Sequence, residues 1–493
     1  ALGSMGFLGV PLSLSTTILP SILLAMGCAY AMHLVAAPNG HVGMIGVAWP
    51  VALSGLTTTL GFLAMAAGPI SAIRQLSTFG AIGVAAATLA ATTLAPAILT
   101  LVPAGASSSR LVDLLRHEIS RQLHRSVLCR WRSVLSIWAL FVTFATVGLV
   151  RLEIATDIIL WFPESEVVRQ DYKAIRERLS GITPVNILVE PRDDSVSDVH
   201  SPAVVSAVDR MSEGLVHRPG VGKVLSIADP LRLVGRAFSG SEGDELPTTS
   251  AEIEQFLLLL AGMDRLDDVL HPDRRSANIL VRMDDNSSDE IVSVDQWAEE
   301  WWRQNGVKGF SVETTGIMYE FARAEESIAN GQIRGLALAV GLVAMILLAV
   351  LRSVRVVALA LVANLAPIAI GFGVMGILGV PLDAATVCLG SMALGIAVDD
   401  TIHVTTTYQA ARALGHAPDR ALDVALKQVL QALVMTTAAI SVGFAVLVLS
   451  DFTLVRNLGL VTVALVTLCL AADVTLLPAL LVRADEKGPS RIA

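Results

Sequence analysis

Charge is scarce in this chain. Asp, Glu, Lys and Arg make up 16% of its 493 residues and aromatics 5%, against 54% hydrophobic residues and a mean hydropathy of +0.65. A soluble chain of this length would hardly tolerate that balance. Several apolar runs can cross about 30 Å of hydrocarbon, so the composition implies a polytopic α-helical membrane protein. Cysteine is equally sparse. Cys28, Cys129, Cys388 and Cys469 show no C-x-x-C spacing, and three of them lie in apolar spans, so they read as inert thiols. No Walker-type phosphate loop occurs, which argues against ATP hydrolysis as an energy source. No H-E-x-x-H or Cys/His cluster marks a metal, and His117 and His124 lack spaced partners. Enzymatic chemistry, a cofactor, a metal and nucleic acid are therefore not expected.

Basic residues are also missing from the run Ala384–Val404, where two adjacent acids do occur, in Gly395-Ile396-Ala397-Val398-Asp399-Asp400-Thr401-Ile402-His403. At helical pitch Gly395, Asp399 and His403 share one face, with Asp400 one residue round. An ionised carboxylate at membrane depth costs several kcal/mol by most scales, so such acids usually face a bundle interior or a water cavity. A helix-end pair reaching interfacial water is the plainer reading. About fifteen apolar or small residues precede Asp399, which favours a protonatable site inside a helix bundle instead.

The stub Ala1–Leu14 is too short to span, and is expected to be the tail of a helix that begins upstream of an N-terminally truncated chain. Nine spans follow: about Ser15–Ala37, Ile45–Gly68, Ser77–Val102, Val134–Val150, Gly335–Leu351, Val356–Leu378, Ala384–Val404, Val429–Leu449 and Leu458–Leu481. The expected domains are a first-half bundle at 1–103, a basic linker at 104–133 and a transmembrane helix at 134–151. A soluble domain at 152–332, a second-half bundle at 333–482 and a tail at 483–493 complete the chain. The linker carries Arg110, Arg116, Arg121, Arg125, Arg130 and Arg132, which places it and the tail in the cytoplasm and the soluble domain outside. Leu111, Leu114, Leu115, Ile119 and Leu123 recur in the linker at helical spacing, so part of it reads either as an amphipathic surface helix or as a flexible segment.

The 152–332 segment reads as α+β. Strand patterns cover Val185–Val189, Val221–Ile227, Ile279–Arg282 and Gly309–Thr314, and helical patterns cover Pro202–Leu215, Ala251–Met263 and Asp289–Gln304. It holds 33 acids against 17 Lys and Arg, a net −16, which leaves about +7 on the rest. Trp297, Trp301 and Trp302 cluster on one helix, as core packing or as an apolar wall for substrate.

The two halves repeat. Gly6-Phe7-Leu8-Gly9-Val10-Pro11-Leu12 matches Gly376-Ile377-Leu378-Gly379-Val380-Pro381-Leu382 at a shift of 370, which also carries His33 onto His403. Further on the shift is 382, and pairs Gly61-Phe62 with Gly443-Phe444 and Pro96 with Pro478. Parallel duplication characterises several transporter folds, whose sites lie at the repeat interface near the midplane.

Gly-Val-Pro-Leu at a helix end, Gly-x-x-x-Asp-Asp-x-x-His on the next helix and the duplication resemble the resistance–nodulation–division (RND) superfamily. More narrowly they resemble its MMPL-type, sterol-sensing-domain-like branch. Thr156-Asp157 through Trp161-Phe162-Pro163 to Gly181-Ile182-Thr183-Pro184 resembles that branch too. The resemblance implies an RND-like duplicated bundle, twelve spans in the complete protein, and porter domains of βαββαβ type. It also implies proton-coupled export of hydrophobic or lipid-like molecules from a bacterial cytoplasmic membrane. A homo-oligomer or a periplasmic acceptor protein would be the protein partner. Relatives often carry an Asp-Tyr pair in each half. At the shift of 370, Asp399 falls on Ala29 and Asp400 on Tyr30, so the first half keeps the Tyr and lacks the acid.

The expected proton relay is therefore Asp399, Asp400 and His403, with His33 and Tyr30 across the repeat interface and Asp473 as a further acid. Gly390, Ser391 and Gly395 are expected to let neighbouring helices approach closely. Two other functions fit the same bundle: a non-transporting lipid sensor or scaffold, and a protein-translocation auxiliary.

Overall fold

The computed structural model describes residues 1–13, 16–35, 40–66, 71–101, 118–152, 158–179, 181–193, 199–239, 245–261, 266–284, 287–383 and 386–486. In chain order its helices begin with α1 Leu2–Phe7, α2 Leu19–Val35, α3 Gly40–Met65, α4 Ser71–Leu101, α5 Ser120–Cys129, α6 Trp131–Val150 and α7 Val167–Leu179. The soluble part adds β1 Thr183–Pro191, α8 Pro202–Val216, β2 Val221–Leu225, α9 Ala228–Ser239, α10 Ser250–Leu260, β3 Ala277–Met283, α11 Ser288–Asn305 and β4 Phe310–Thr315. The chain continues through α12 Ile317–Leu351, α13 Val354–Leu378, α14 Leu389–Ala413, α15 Pro418–Ala445, α16 Thr453–Ala471 and α17 Leu477–Glu486. It divides into two compact units, Ala1–Ile154 with Ser327–Ala493, and Ala155–Glu326.

In the helical unit, eight described helices are long and apolar enough to cross a membrane. The helix α14 lies outside that set, because Asp399, Asp400 and His403 lower its hydropathy. It is instead the most enclosed helix of the unit, buried at every position from Leu389 to Thr405. Such a helix needs apolar or small residues on all faces, and its polar groups must find partners inside the protein.

The internal repeat is visible in the backbone. Gly9 and Gly379 both adopt φ +66°, and Val10 N–H and Val380 N–H donate to Met5 O and Met375 O, each at 2.9 Å. Gly-Val-Pro-Leu is thus a helix stop in both copies: a left-handed glycine, a bond back into the last turn, then a proline that cannot continue the helix. A short 3₁₀ turn follows each, Thr16–Ile18 and Thr386–Cys388, 370 residues apart. Thr386 N–H donates to Asp383 Oδ1 at 2.8 Å, and Thr16 N–H donates to Ser13 Oγ at 3.4 Å, so equivalent side chains cap the two turns. The helices α4 and α16 start 382 residues apart, at Ser71 and Thr453. The copies part at the end of α16, where Ala472–Leu476 forms a π turn while α4 runs on without one.

Backbones approach closely between α6 and α13. A Cβ on Gly148 would lie 1.8 Å from Gly373 O, one on Gly373 2.5 Å from Ala145 O, and one on Gly376 2.0 Å from Gly148 O. Glycine is what allows these helices to touch main chain to main chain.

The segment 104–133 is described only from residue 118. There Ser120–Cys129 is helical, Val127 is buried, and His124 Nε2 donates to Asp419 O at the start of α15 at 2.8 Å. The amphipathic pattern before residue 118 lies outside the described residues.

The second unit is a four-stranded antiparallel sheet in the order β2-β3-β1-β4. With α8 between β1 and β2 and α11 between β3 and β4, this is the split βαββαβ arrangement, with α9 and α10 inserted between β2 and β3. Alternation in β1 buries Val185, Ile187 and Val189 against α8 and α11, which supply Val204, Val208, Ile291, Val294 and Ala298. Trp302 is buried and its Nε1 donates to Phe310 O at 3.3 Å. The Trp297 ring fills the space beside Gly214 on α8. These two rings thus pack within the unit itself.

Candidate functional site

The fold puts α14 against α3 and α2 against α15, so each half packs its central helix on the other half. His33 on α2 and His403 on α14 are repeat equivalents. Two equivalent residues can meet only near the axis that relates the copies, and these do: their rings stack with centroids 4.1 Å apart and 7° between planes. All three groups around that stack, His33, His403 and Asp399, are more than nine-tenths buried.

The polar atoms converge without closing hydrogen bonds. His403 Nε2 is 3.5 Å from Asp399 Oδ1, and His33 Nε2 is 3.9 Å from both Asp399 Oδ2 and Asp400 Oδ1. Hydrogen bonds between such groups measure about 2.7–3.2 Å. His33 Nε2, His403 Nε2 and Asp399 Oδ1 accordingly have no hydrogen-bond partner. Among the described residues no Lys or Arg forms an ion pair with either aspartate; their only such contacts are the histidines.

The remaining residues singled out by sequence fall around this centre. Tyr30 is fully buried one turn before His33, and its hydroxyl has no hydrogen-bond partner. Gly395 faces α3, where an added Cβ would sit 3.3 Å from Thr58 Cα, and Thr58 Oγ1 donates to Gly395 O at 3.0 Å. Gly390 lies against the Phe372 ring, and a Cβ on Gly61 would sit 3.4 Å from Ser391 O.

Asp473 sits in the π turn, within the second half, and meets the residue next to Asp400. Thr401 Oγ1 lies 2.6 Å from Asp473 Oδ1 and 3.1 Å from Asn364 Oδ1. Asn364 Nδ2 donates to Ala360 O at 2.9 Å, which fixes its amide with the oxygen toward Thr401. One hydroxyl hydrogen cannot serve two acceptors, so the network closes only when Asp473 brings a proton of its own. Sequence reasoning missed Thr58, Asn364 and Thr401. Their signal was a polar group in an apolar run, and Thr401 adjoins the acid pair. Thr401→Val should cost about 1–3 kcal/mol by leaving the carboxyl of Asp473 and the amide oxygen of Asn364 unbridged in the interior, whereas Thr401→Ser should hold. Thermal midpoints of the two purified variants decide this; equal midpoints would show that the hydroxyl contributes nothing.

Three comparisons bear on identity. A family model described as the MMPL family matches residues 5–139 and 164–492. A protein of Methanocaldococcus jannaschii, whose name describes it as a membrane protein, is 24% identical over 389 residues, covering 76% of this chain and 95% of its own. Among solved structures, the hedgehog release protein Disp of the water bear Hypsibius dujardini superposes with a TM-score of 0.63 at 16% identity. That alignment takes in 97% of this chain but only 63% of the Disp chain, so the present chain spans under two thirds of its length. The likeness is one of fold.

Proposed function

The chain belongs to the MMPL family, a multi-pass membrane protein with an RND-like helix bundle, and from this premise we propose that it is a proton-coupled exporter of hydrophobic or lipid-like molecules. The observation that carries the reading is the acid pair of α14. Asp399 and Asp400 are buried, adjacent, and faced by histidines rather than by Lys or Arg among the described residues. Two neighbouring carboxylates in a low-dielectric bundle do not both hold charge readily, so the pair is suited to exchange a proton. Asp399 and Asp400 carry it, His403 and His33 share it, and Asp473 with Thr401 forms a second station. The α+β domain receives or passes on substrate on the extracytoplasmic side, and its acidic surface faces away from the cytoplasm. No enzymatic step is required.

The test is a proteoliposome assay in which lipid-like substrate leaves only when a proton gradient is imposed, with proton uptake read by a trapped dye. Efflux indifferent to the gradient would remove proton coupling.

Topology supplies a second check. In a background without native cysteines, Lys308→Cys on the α+β domain should react with a membrane-impermeant thiol reagent in intact cells. Ser126→Cys on α5 should react only after permeabilisation; both positions are exposed. The opposite pattern would invert the assignment.

A further inference from the structure

We propose that the cluster at the junction of the two halves is also a binding site for a divalent transition metal of the Zn²⁺ type, held by His33, His403 and Asp399, with a fourth position open to Asp400, whose Oδ1 lies 3.9 Å from His33 Nε2. This goes beyond proton coupling but rests on the same buried site, and it is argued from geometry. One ligand atom each from His33, Asp399 and His403 falls within 4.8 Å of the others, and all three residues are buried.

The spacing is informative. The contacts of 3.5 and 3.9 Å are too long for hydrogen bonds. Zinc takes nitrogen and carboxylate ligands at about 2.0–2.1 Å in a tetrahedron, which sets ligand atoms roughly 3.3 Å apart. The two separations to Asp399 exceed that edge by about 0.2 and 0.6 Å and run to its two different oxygens, so holding one ion requires the stacked imidazoles to turn out of their parallel arrangement until both Nε2 atoms point at it. Three of the atoms concerned have no partner inside the protein although buried, so an ion there would satisfy groups that are otherwise left costly.

Donor type narrows the ion. Two imidazoles and carboxylate oxygen suit zinc, copper or nickel, whereas magnesium and calcium select oxygen alone. Charge agrees: a divalent ion offsets both Asp399 and Asp400, while a single proton offsets one. Because His33 comes from the first half and the other ligands from the second, a bound ion would pin the halves together across their interface. It would also occupy the groups proposed to exchange protons, so the metal would act as a brake.

The experiment uses the full chain, purified in detergent and stripped of metal by a chelating resin, with no gradient or substrate. Zn²⁺ is titrated by calorimetry, and Co²⁺ is added separately as an optical probe. Expected are one equivalent bound and the intense visible bands of a four-coordinate cobalt site. Binding should weaken at acid pH, because the ligands must be deprotonated. His33→Gln, His403→Gln and Asp399→Asn should each weaken binding by at least the roughly ten- to hundredfold that outer-shell partners are worth. His124→Gln, remote from the site, should not. X-ray absorption of the zinc-loaded unmutated protein should show two imidazoles, so the result does not depend on any variant folding. Absence of binding to the unmutated protein, or undiminished binding in His33→Gln/His403→Gln, would overturn the proposal. Gradient-driven efflux without metal binding sinks only the metal site; metal binding with gradient-indifferent efflux sinks only the proton reading.

Discussion

Asp399→Asn and Asp400→Asn should each reduce gradient-driven efflux to near background while leaving the protein inserted and monodisperse. An amide keeps the shape of the carboxyl and its capacity for hydrogen bonding, but it cannot take up and release a proton. It also removes the cost of holding a charge where α14 is enclosed on every face, so stability should hold or rise slightly. The first half offers no substitute, because Ala29 and Tyr30 stand where the second half has its acids. His403→Ala should be milder than either if the ring only tunes the pair, and equally severe if it relays the proton. The measurement is efflux from proteoliposomes with the size-exclusion profile recorded alongside. Near-normal, gradient-dependent efflux from the double Asn variant would remove the relay and favour a sensor or scaffold.

Gly373→Leu should damage the bundle severely. Its Cβ would lie 2.5 Å from Ala145 O and 2.6 Å from Ala145 Cα, and neither main-chain atom can turn aside as a flexible side chain would. The helices α6 and α13 would have to separate, opening an interface that the backbone contacts of Gly148 and Gly376 also hold closed. Overpacking usually costs about 1–3 kcal/mol and more where backbone is the obstacle. Gly341→Leu is the matched control, since nothing lies within 4 Å of its Cβ position. Thermal midpoints in detergent should fall sharply for Gly373→Leu and stay near the parent for Gly341→Leu. Equal midpoints would show that this crossing does not limit stability.

Much of the molecule follows from sequence alone because its physics is local or periodic. Apolar runs of about twenty residues must be helices in hydrocarbon, since no other open segment satisfies its own backbone there. Alternation gave the four strands, and their register on the sheet follows once one face is buried. Gly-Val-Pro-Leu reads as a helix stop because glycine, then proline, leave the chain no other course. The duplication makes His33 the counterpart of His403.

Distances that depend on several helices at once were decided only by the tertiary structure. That the histidines stack at 4.1 Å with their Nε2 atoms unpartnered depends on how α2 and α14 turn about their axes, and packing on α3 and α15 sets those turns. A single π turn within α16–α17 brings Asp473 to Thr401, the neighbour of Asp400, and no sequence pattern announces that turn. The glycines singled out on α14 leave room for Phe372 and Thr58, each 3.3 Å from where a Cβ would stand, while a tighter crossing fell to Gly148, Gly373 and Gly376. Which small residue meets which is a property of two helices together, and composition along either one cannot state it.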